Sequence, residues 1–425
     1  MLLTLGLSFC AAILLGAPVA FALGMAALAT FLYGGLPFPI IVQRMYMAID
    51  QFPLLAVPMF ILAGELMART GLVKGLLKFC DSIVGGITGG LGHVTVLADM
   101  FFGGMTGAAV AETSALGPLE IGMMDEAGYD HDYAVALVAA ASTMGPIIPP
   151  SIPMVIYGIV CSVSIGALFL GGIIPGMLIA AGLMAHVYIT SIIRKYPRRT
   201  VRLSFREFAA GLRAGLLAMG IPVIVVGGIL GGFVTPTEAS AIAVAYALAV
   251  GIAQRTLSSR DFYDAILETG STTAVVFMVL AGAGAVSYLI TTQQVAAKLG
   301  IYLTSHAMSQ GIYLLLVNLI LLVVGCFLDT GAAIIIFAPI LTPVAMAMGI
   351  HPVHFGLVVV LNLVIGLLTP PVGAVLYVAC GVGKISLERL VRALWPLILI
   401  EIGVLFLITY VPFLVTAIPS AFFVK

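Results

Sequence analysis

Apolar runs separated by short polar or Gly/Pro-rich connections fill almost the whole chain. Nine of them are long enough to be read as membrane spans, at about 2–33, 52–68, 133–163, 165–193, 216–234, 236–253, 265–290, 355–382 and 394–417. Two further apolar stretches, 91–124 and 310–348, have centres of small residues, Gly103 to Ala109 and Asp329 to Ala333. Each reads either as a re-entrant hairpin of two half-length arms or as one long tilted helix with a small-residue packing face. Three stretches, 69–78, 291–305 and 384–392, are amphipathic or polar enough to lie in the membrane interface.

Two spans cannot be continuous helices. Gly145 to Pro153 carries four prolines in nine residues, and Gly366 to Gly373 carries Thr369-Pro370-Pro371. Proline removes a backbone donor and clashes with the preceding turn. In hydrocarbon the freed carbonyls cost several kcal/mol each, so such breaks persist only where protein or a wet cavity surrounds them. Mid-membrane breaks of this kind build the ion sites of many secondary transporters.

The halves repeat. Thr106-Gly107-Ala108-Ala109 recurs in the second half as Thr330-Gly331-Ala332-Ala333, and Pro149-Pro150 recurs as Pro370-Pro371. Leu62-Ala63-Gly64 and Pro18 recur as Leu280-Ala281-Gly282 and Pro236. Four anchors in one order, at nearly one offset, favour the hairpin reading in both halves. With the N-terminus inside and both hairpins re-entrant, 15 of the 18 basic residues fall inside, all but Arg44, Lys298 and Lys425. That places the N-terminus in the cytoplasm and the C-terminus in the periplasm, and makes the repeats inverted.

Composition agrees: 62% of residues are hydrophobic and 8% charged, a balance that excludes a soluble domain. Met1 to Thr30 lacks the basic region of a signal peptide and reads as the start of the first span. Five scattered cysteines form no CxxC pair, so packing thiols are expected. No Walker lysine motif, GxSxG or HExxH occurs, which argues against ATP hydrolysis and against an enzyme.

Four blocks carry a family resemblance: Phe101–Asp130, Ser142–Gly158, Phe233–Leu248, and Leu328–Ala345 with His354–Gly373. With their Pro-rich breaks they resemble the large membrane subunit of tripartite ATP-independent periplasmic (TRAP) transporters, along the whole chain. The resemblance implies an all-α polytopic fold of the elevator type, with an inverted repeat, two re-entrant hairpins and two broken helices. It also implies Na⁺-coupled uptake of a small carboxylate across the bacterial inner membrane. The partners it implies are a small four-helix membrane subunit, on a separate chain, and a periplasmic substrate-binding protein. The hairpin tip of the family often reads Ser-Gly-Ser followed by Asp; here it reads Thr106-Gly107-Ala108, then Glu112.

The expected organisation is a first repeat over 1–195 (hairpin about 91–127, broken helix about 131–163), a basic linker and connecting helix over 196–235, and a second repeat over 236–425 (hairpin about 308–348, broken helix about 354–383). Sodium takes oxygen ligands. One site is expected from Thr106, Gly107, Glu112, Gly145, Pro149, Pro150 and Ser151. A second is expected from Asp329, Thr330, Gly331, Gly366, Thr369, Pro370 and Gly373. A carboxylate at mid-membrane is costly and functional by default, which singles out Asp329. Substrate contacts are expected from Thr106, Ala108, Ser142, Thr330 and Asn362, although Asn362 fits a bond to another helix better than a substrate contact. Glu65, Glu120, Glu238 and Glu401 read as span-end carboxylates, and His131, His351 and His354 as cap or loop residues. A stand-alone Na⁺/dicarboxylate carrier of the related inverted-repeat fold is the alternative function.

Overall fold

The computed structural model describes residues 1–196, 212, 215–295, 298 and 309–423. Among them the regular structure is helical, and six helices are long and apolar enough to cross a membrane. Residues 197–211 and 213–214 of the expected linker, and most of the connector over 291–305, lie outside the described residues.

The first run is not one span. It forms α1 (Leu2–Leu14) and α2 (Val19–Gly34), which pack against each other. Pro18 has no N–H with which to continue α1, and Gly16 turns the chain at a φ of +83°. A side chain on Gly34 would collide with the Met1 side chain, so the pair doubles back and both its ends lie on one face. With 13 residues, α1 is about 20 Å long, short of the ~30 Å of a bilayer core.

This turn adds a reversal that the expected span count did not include. After α3 (Pro39–Ile49), α4 (Ala56–Arg69) and α5 (Leu72–Val84) comes the first hairpin, α6 (Gly90–Thr106) and α7 (Ala109–Glu126). The first broken helix is α8 (His131–Ser142) and α9 (Ile152–Val160), followed by the long α10 (Ile165–Arg194), the short α11 (Gly220–Leu230), α12 (Pro236–Gln254) and α13 (Ser259–Thr292). Gln293 at the end of α13 donates to the Met1 sulfur at 3.4 Å. Arg255 and Arg260 sit at its start. A helix of 34 residues spans about 51 Å, so Met1 and those arginines lie on opposite faces.

The second half mirrors the first. Its hairpin is α14 (Gln310–Gly325) and α15 (Thr330–Ala347), and its broken helix is α16 (Pro352–Gly366) and α17 (Ala374–Gly383). It ends in α18 (Leu387–Tyr410) and α19 (Phe413–Phe423). The stretch 384–392 is therefore no separate interfacial helix; from Leu387 it runs on into α18. Glu238 is a helix-start carboxylate as expected: it completes a capping box with Thr235 at the head of α12. Four side-chain contacts hold the two hairpins by their bases to opposite faces. Tyr196 and Arg194 bind Asp130 at the base of the first, and Gln310 donates to the Met348 carbonyl (2.7 Å) and Tyr410 to the Gly311 carbonyl (3.2 Å) at the base of the second.

The repeats interlock. Each first arm packs on its own broken helix, α6 on α8 and α14 on α16. Each second arm also packs on the far half of the other repeat's broken helix, α7 on α17 and α15 on α9. The first-arm contacts are glycine on glycine. A Cβ on Gly103 would lie 2.5 Å from the Gly145 Cα, and one on Gly325 would lie 3.0 Å from the Gly366 Cα. Small residues let backbones meet this closely. At the basic face His131 joins the repeats: one ring nitrogen bonds the Gly383 carbonyl at 2.6 Å and the other the Asp125 carboxylate at 2.8 Å. Those two acceptors hold the imidazole pKa above its ordinary value. Arg389 adds an ion pair to Asp132 at 2.7 Å.

Gly103→Ala and Gly325→Ala are each expected to destabilise the purified protein by about 1–3 kcal/mol from overpacking, seen as a lower thermal unfolding midpoint. Gly122→Ala, where a Cβ meets nothing within 4 Å, is the control and should be neutral or stabilising by a few tenths to 1 kcal/mol.

Candidate functional site

Each hairpin tip rests on a helix break. At the first, Gly107 turns with a φ of +64°, and a Cβ there would lie 2.8 Å from the Pro150 carbonyl oxygen. One on Gly104 would lie 3.0 Å from the Pro149 carbonyl oxygen. The Glu112 carboxylate sits between Gly103 and Gly145. It is fully buried, and neither of its oxygens has a hydrogen-bond partner; the buried Thr106 hydroxyl has none either. Thr106, Gly107, Glu112, Gly145, Pro149 and Pro150 are thus brought together. Ser151 is adjacent, but its hydroxyl is engaged: it donates to the Pro146 carbonyl and accepts from the Met154 N–H as the cap of α9.

The second site has the same backbone and different side chains. The Gly373 N–H donates to the Cys326 carbonyl in the hairpin turn at 3.1 Å, and Gly366 meets Gly325. Thr330 offers a buried hydroxyl without a partner. Thr369 spends its hydroxyl on the Ile365 carbonyl at 2.9 Å. Asp329 is not a buried orphan: it is exposed and caps α15 by accepting from the Gly331 N–H at 2.9 Å. The carboxylate buried at a tip is Glu112 in the first half.

A cavity of about 380 Å³ opens beside the first tip, between Thr106, Ala108 and Ser114 of the hairpin and Glu65, Glu268 and Thr272 of α4 and α13. That size suits a small organic molecule. Of the expected substrate contacts, Thr106 and Ala108 line it. Ser142 does not: it accepts from Thr113 at 2.7 Å and donates to the Ala139 carbonyl. Asn362 donates to Asn318 (2.8 Å) and to the Val358 carbonyl (2.7 Å), a bond between helices. Thr330 belongs to the other tip.

Two carboxylates depart from their sequence reading. Glu120 and Glu401 are 1% and 0% exposed, not solvated span ends. Glu401 accepts from Thr143, at the start of the first break, at 2.9 Å. Asp99, which no motif marks, is fully buried on α6, and like Glu112 and Glu120 has no partner on either oxygen. All three carboxylates lie within the first hairpin. A lone Asp inside an apolar helix was the signal available for Asp99.

The family model described as "Tripartite ATP-independent periplasmic transporter, DctM component" matches residues 7–414. The chain belongs to the DctM family. The sialic acid TRAP transporter large permease protein SiaM of Vibrio cholerae is 41% identical over 411 residues, covering 96% of each chain. The isethionate TRAP transporter permease protein DctMQ of Oleidesulfovibrio alaskensis is 40% identical over 96% of this chain, which spans 64% of that longer protein. The C4-dicarboxylate large permease DctM of Pseudomonas aeruginosa is 36% identical over 89% of this chain and 88% of its own. Among solved structures, the YdaH transporter of Alcanivorax borkumensis superposes with a TM-score of 0.67 at 16% identity over 88% of each chain. MtrF of Neisseria gonorrhoeae does so at 0.61 and 14%, over 87% of this chain and 83% of its own; both share the fold. This DctM-family chain is the large permease subunit of a TRAP transporter, a multi-pass membrane protein and not an enzyme.

An unpartnered carboxylate buried in a membrane protein is expensive and is kept for function. Asp99→Asn and Glu120→Gln should therefore leave stability unchanged or raise it, by up to about 1–3 kcal/mol, seen as an unchanged or higher thermal midpoint, while transport by the complete system falls. A lower midpoint with normal transport would show that these acids serve folding alone.

Proposed function

We propose that the chain takes up a small organic acid by Na⁺-coupled elevator transport, receiving it from a periplasmic binding protein and working with a small membrane subunit. The observation that carries this reading is the pair of hairpin tips seated on two helix breaks from opposite faces. Alternating access needs such inverted symmetry. The oxygens gathered at the tips suit a hard cation: the Thr106 hydroxyl, the Glu112 carboxylate and the Pro149 and Pro150 carbonyls at one, the Thr330 hydroxyl at the other. Sodium would neutralise Glu112 there. The hairpins and broken helices form the moving bundle, packed on one another through both repeats. Helices α2, α3, α4, α12 and α13 pack together as the scaffold. The relatives named for sialic acid, isethionate and C4-dicarboxylates support an organic acid as cargo, held in the cavity between hairpin tip and scaffold.

The basic residues set the orientation. With Arg255 and Arg260 in the cytoplasm, Met1 lies in the periplasm, contrary to the expectation from counting spans. The cavity then lies toward the cytoplasmic half, since Glu268 is only three turns from the start of α13. In a cysteine-free background, Leu2→Cys should react with an impermeant maleimide added outside intact cells. Labelling only after lysis would reverse the assignment.

The functional reading is tested in proteoliposomes. The chain alone, with Na⁺ and sialic acid, succinate or isethionate, should transport little. Adding the small subunit and the liganded binding protein should give uptake that follows the Na⁺ gradient and ignores ATP. Glu112→Gln should raise the Na⁺ concentration for half-maximal uptake more than tenfold, because one opposite charge within ~4–6 Å is a large term at a buried site. Full transport of free substrate by the lone chain would replace this reading with a stand-alone carrier.

A further inference from the structure

A charge cluster that the sequence motifs do not mark lies beside the cavity, behind two of its lining carboxylates. Arg69, the last residue of α4, places one guanidinium nitrogen 3.4 Å from Glu65 and 3.2 Å from Glu268 of α13. Both glutamates line the cavity. The Arg69 Nε–H is buried and has no acceptor. Two carboxylates share one cation, and the guanidinium still has an unused donor. The glutamates are not equivalent. Glu65 is 23% exposed and lies one turn from Arg69 on the same helix, whereas Glu268 is 62% exposed and reaches in from another helix. Exposed ion pairs contribute little, so Glu268 is the partner that leaves most readily.

We propose that Arg69 is the anion seat of the cavity and that Glu268 is a built-in competitor for it. A carboxylate or sulfonate entering from the hairpin side takes the unused Nε–H and displaces Glu268, which swings into water. One anion replaces another, so the net charge at the seat is unchanged by the exchange. Arg suits this role because its planar fork binds carboxylates through two parallel N–H donors. When Glu268 returns, it expels the anion toward the basic face. The cluster lies wholly on the scaffold, so the moving hairpin carries the substrate's other end at Thr106 and Ala108, and the seat stays fixed. The argument rests on the reading that this cavity binds an organic acid.

The experiment uses the full chain with its small subunit in nanodiscs and reads phenylglyoxal modification of Arg69 by mass spectrometry. Succinate, isethionate and N-acetylneuraminate are the probes, with succinamide and chloride as controls at equal ionic strength. At least one probe anion should slow modification of Arg69 threefold or more, and the controls should not. Glu268→Gln should lower the concentration of that anion needed for half-protection about tenfold. Arg69→Gln should abolish binding of that anion, followed by the thermal shift it induces, and Arg69→Lys should keep part of it. Maleimide labelling of a Thr106→Cys variant reports occupancy of the cavity independently. Anions that protect position 106 but leave Arg69 modification unchanged would overturn the seat and preserve the organic-acid reading. Anions that protect neither position would overturn both. Protection of Arg69 that is unaltered by Glu268→Gln would overturn the competitor role.

Discussion

A backbone carbonyl or amide that loses its helical partner inside hydrocarbon must find another, or the helix cannot stay broken. The rest of this structure depends on meeting that demand twice, around residues 143–151 and 367–373. At the first break the partners are local, turn bonds such as Ile147 N–H to the Met144 carbonyl and the Ser151 hydroxyl on the Pro146 carbonyl; at both breaks a re-entrant hairpin brings a tip of small residues against the broken backbone. Gly103 on Gly145 and Gly325 on Gly366 are the contacts that let the backbones approach; the bond from Gly373 to the Cys326 carbonyl ties one break to one tip directly. The second arms then cross to the other repeat, so neither break is supported by its own half alone. This crossing packs the hairpins and broken helices of both repeats into one body.

Backbone symmetry does not extend to the chemistry of the two sites. The first tip has a buried Glu112 and two more buried acids, Asp99 and Glu120, along its hairpin. The second has an exposed Asp329 engaged in capping its own helix. The costly, unpaired charges are concentrated in one repeat, next to the cavity that faces the scaffold. An inverted repeat can therefore keep its access geometry while its two halves diverge in what they bind.

Much of the architecture was legible in the chain because the signals are local. Proline positions mark the breaks, glycine-centred apolar stretches mark the hairpins, and the TGAA and PP anchors mark the repeat. The observed hairpin arms and half-helices end close to those expectations, except where α9 stops at Val160. The first run was misread because hydropathy registers an apolar stretch and not a reversal within it. Gly16-Ala17-Pro18 was the available signal.

The sequence by itself determined the class of protein, the two breaks, the repeat and the residues that gather at the first tip, since each follows from what a residue does to its own stretch of backbone. Only the tertiary structure decided which polar groups are buried without partners, which face each end occupies, and what stands across the cavity. Asp99, Glu120 and the Arg69–Glu65–Glu268 cluster carry no motif. Their character comes from neighbours brought in from other helices: Glu65 and Glu268 lie in different halves of the chain and meet at one guanidinium. Local pattern specifies helices; the environment of a charge exists only once the helices have packed.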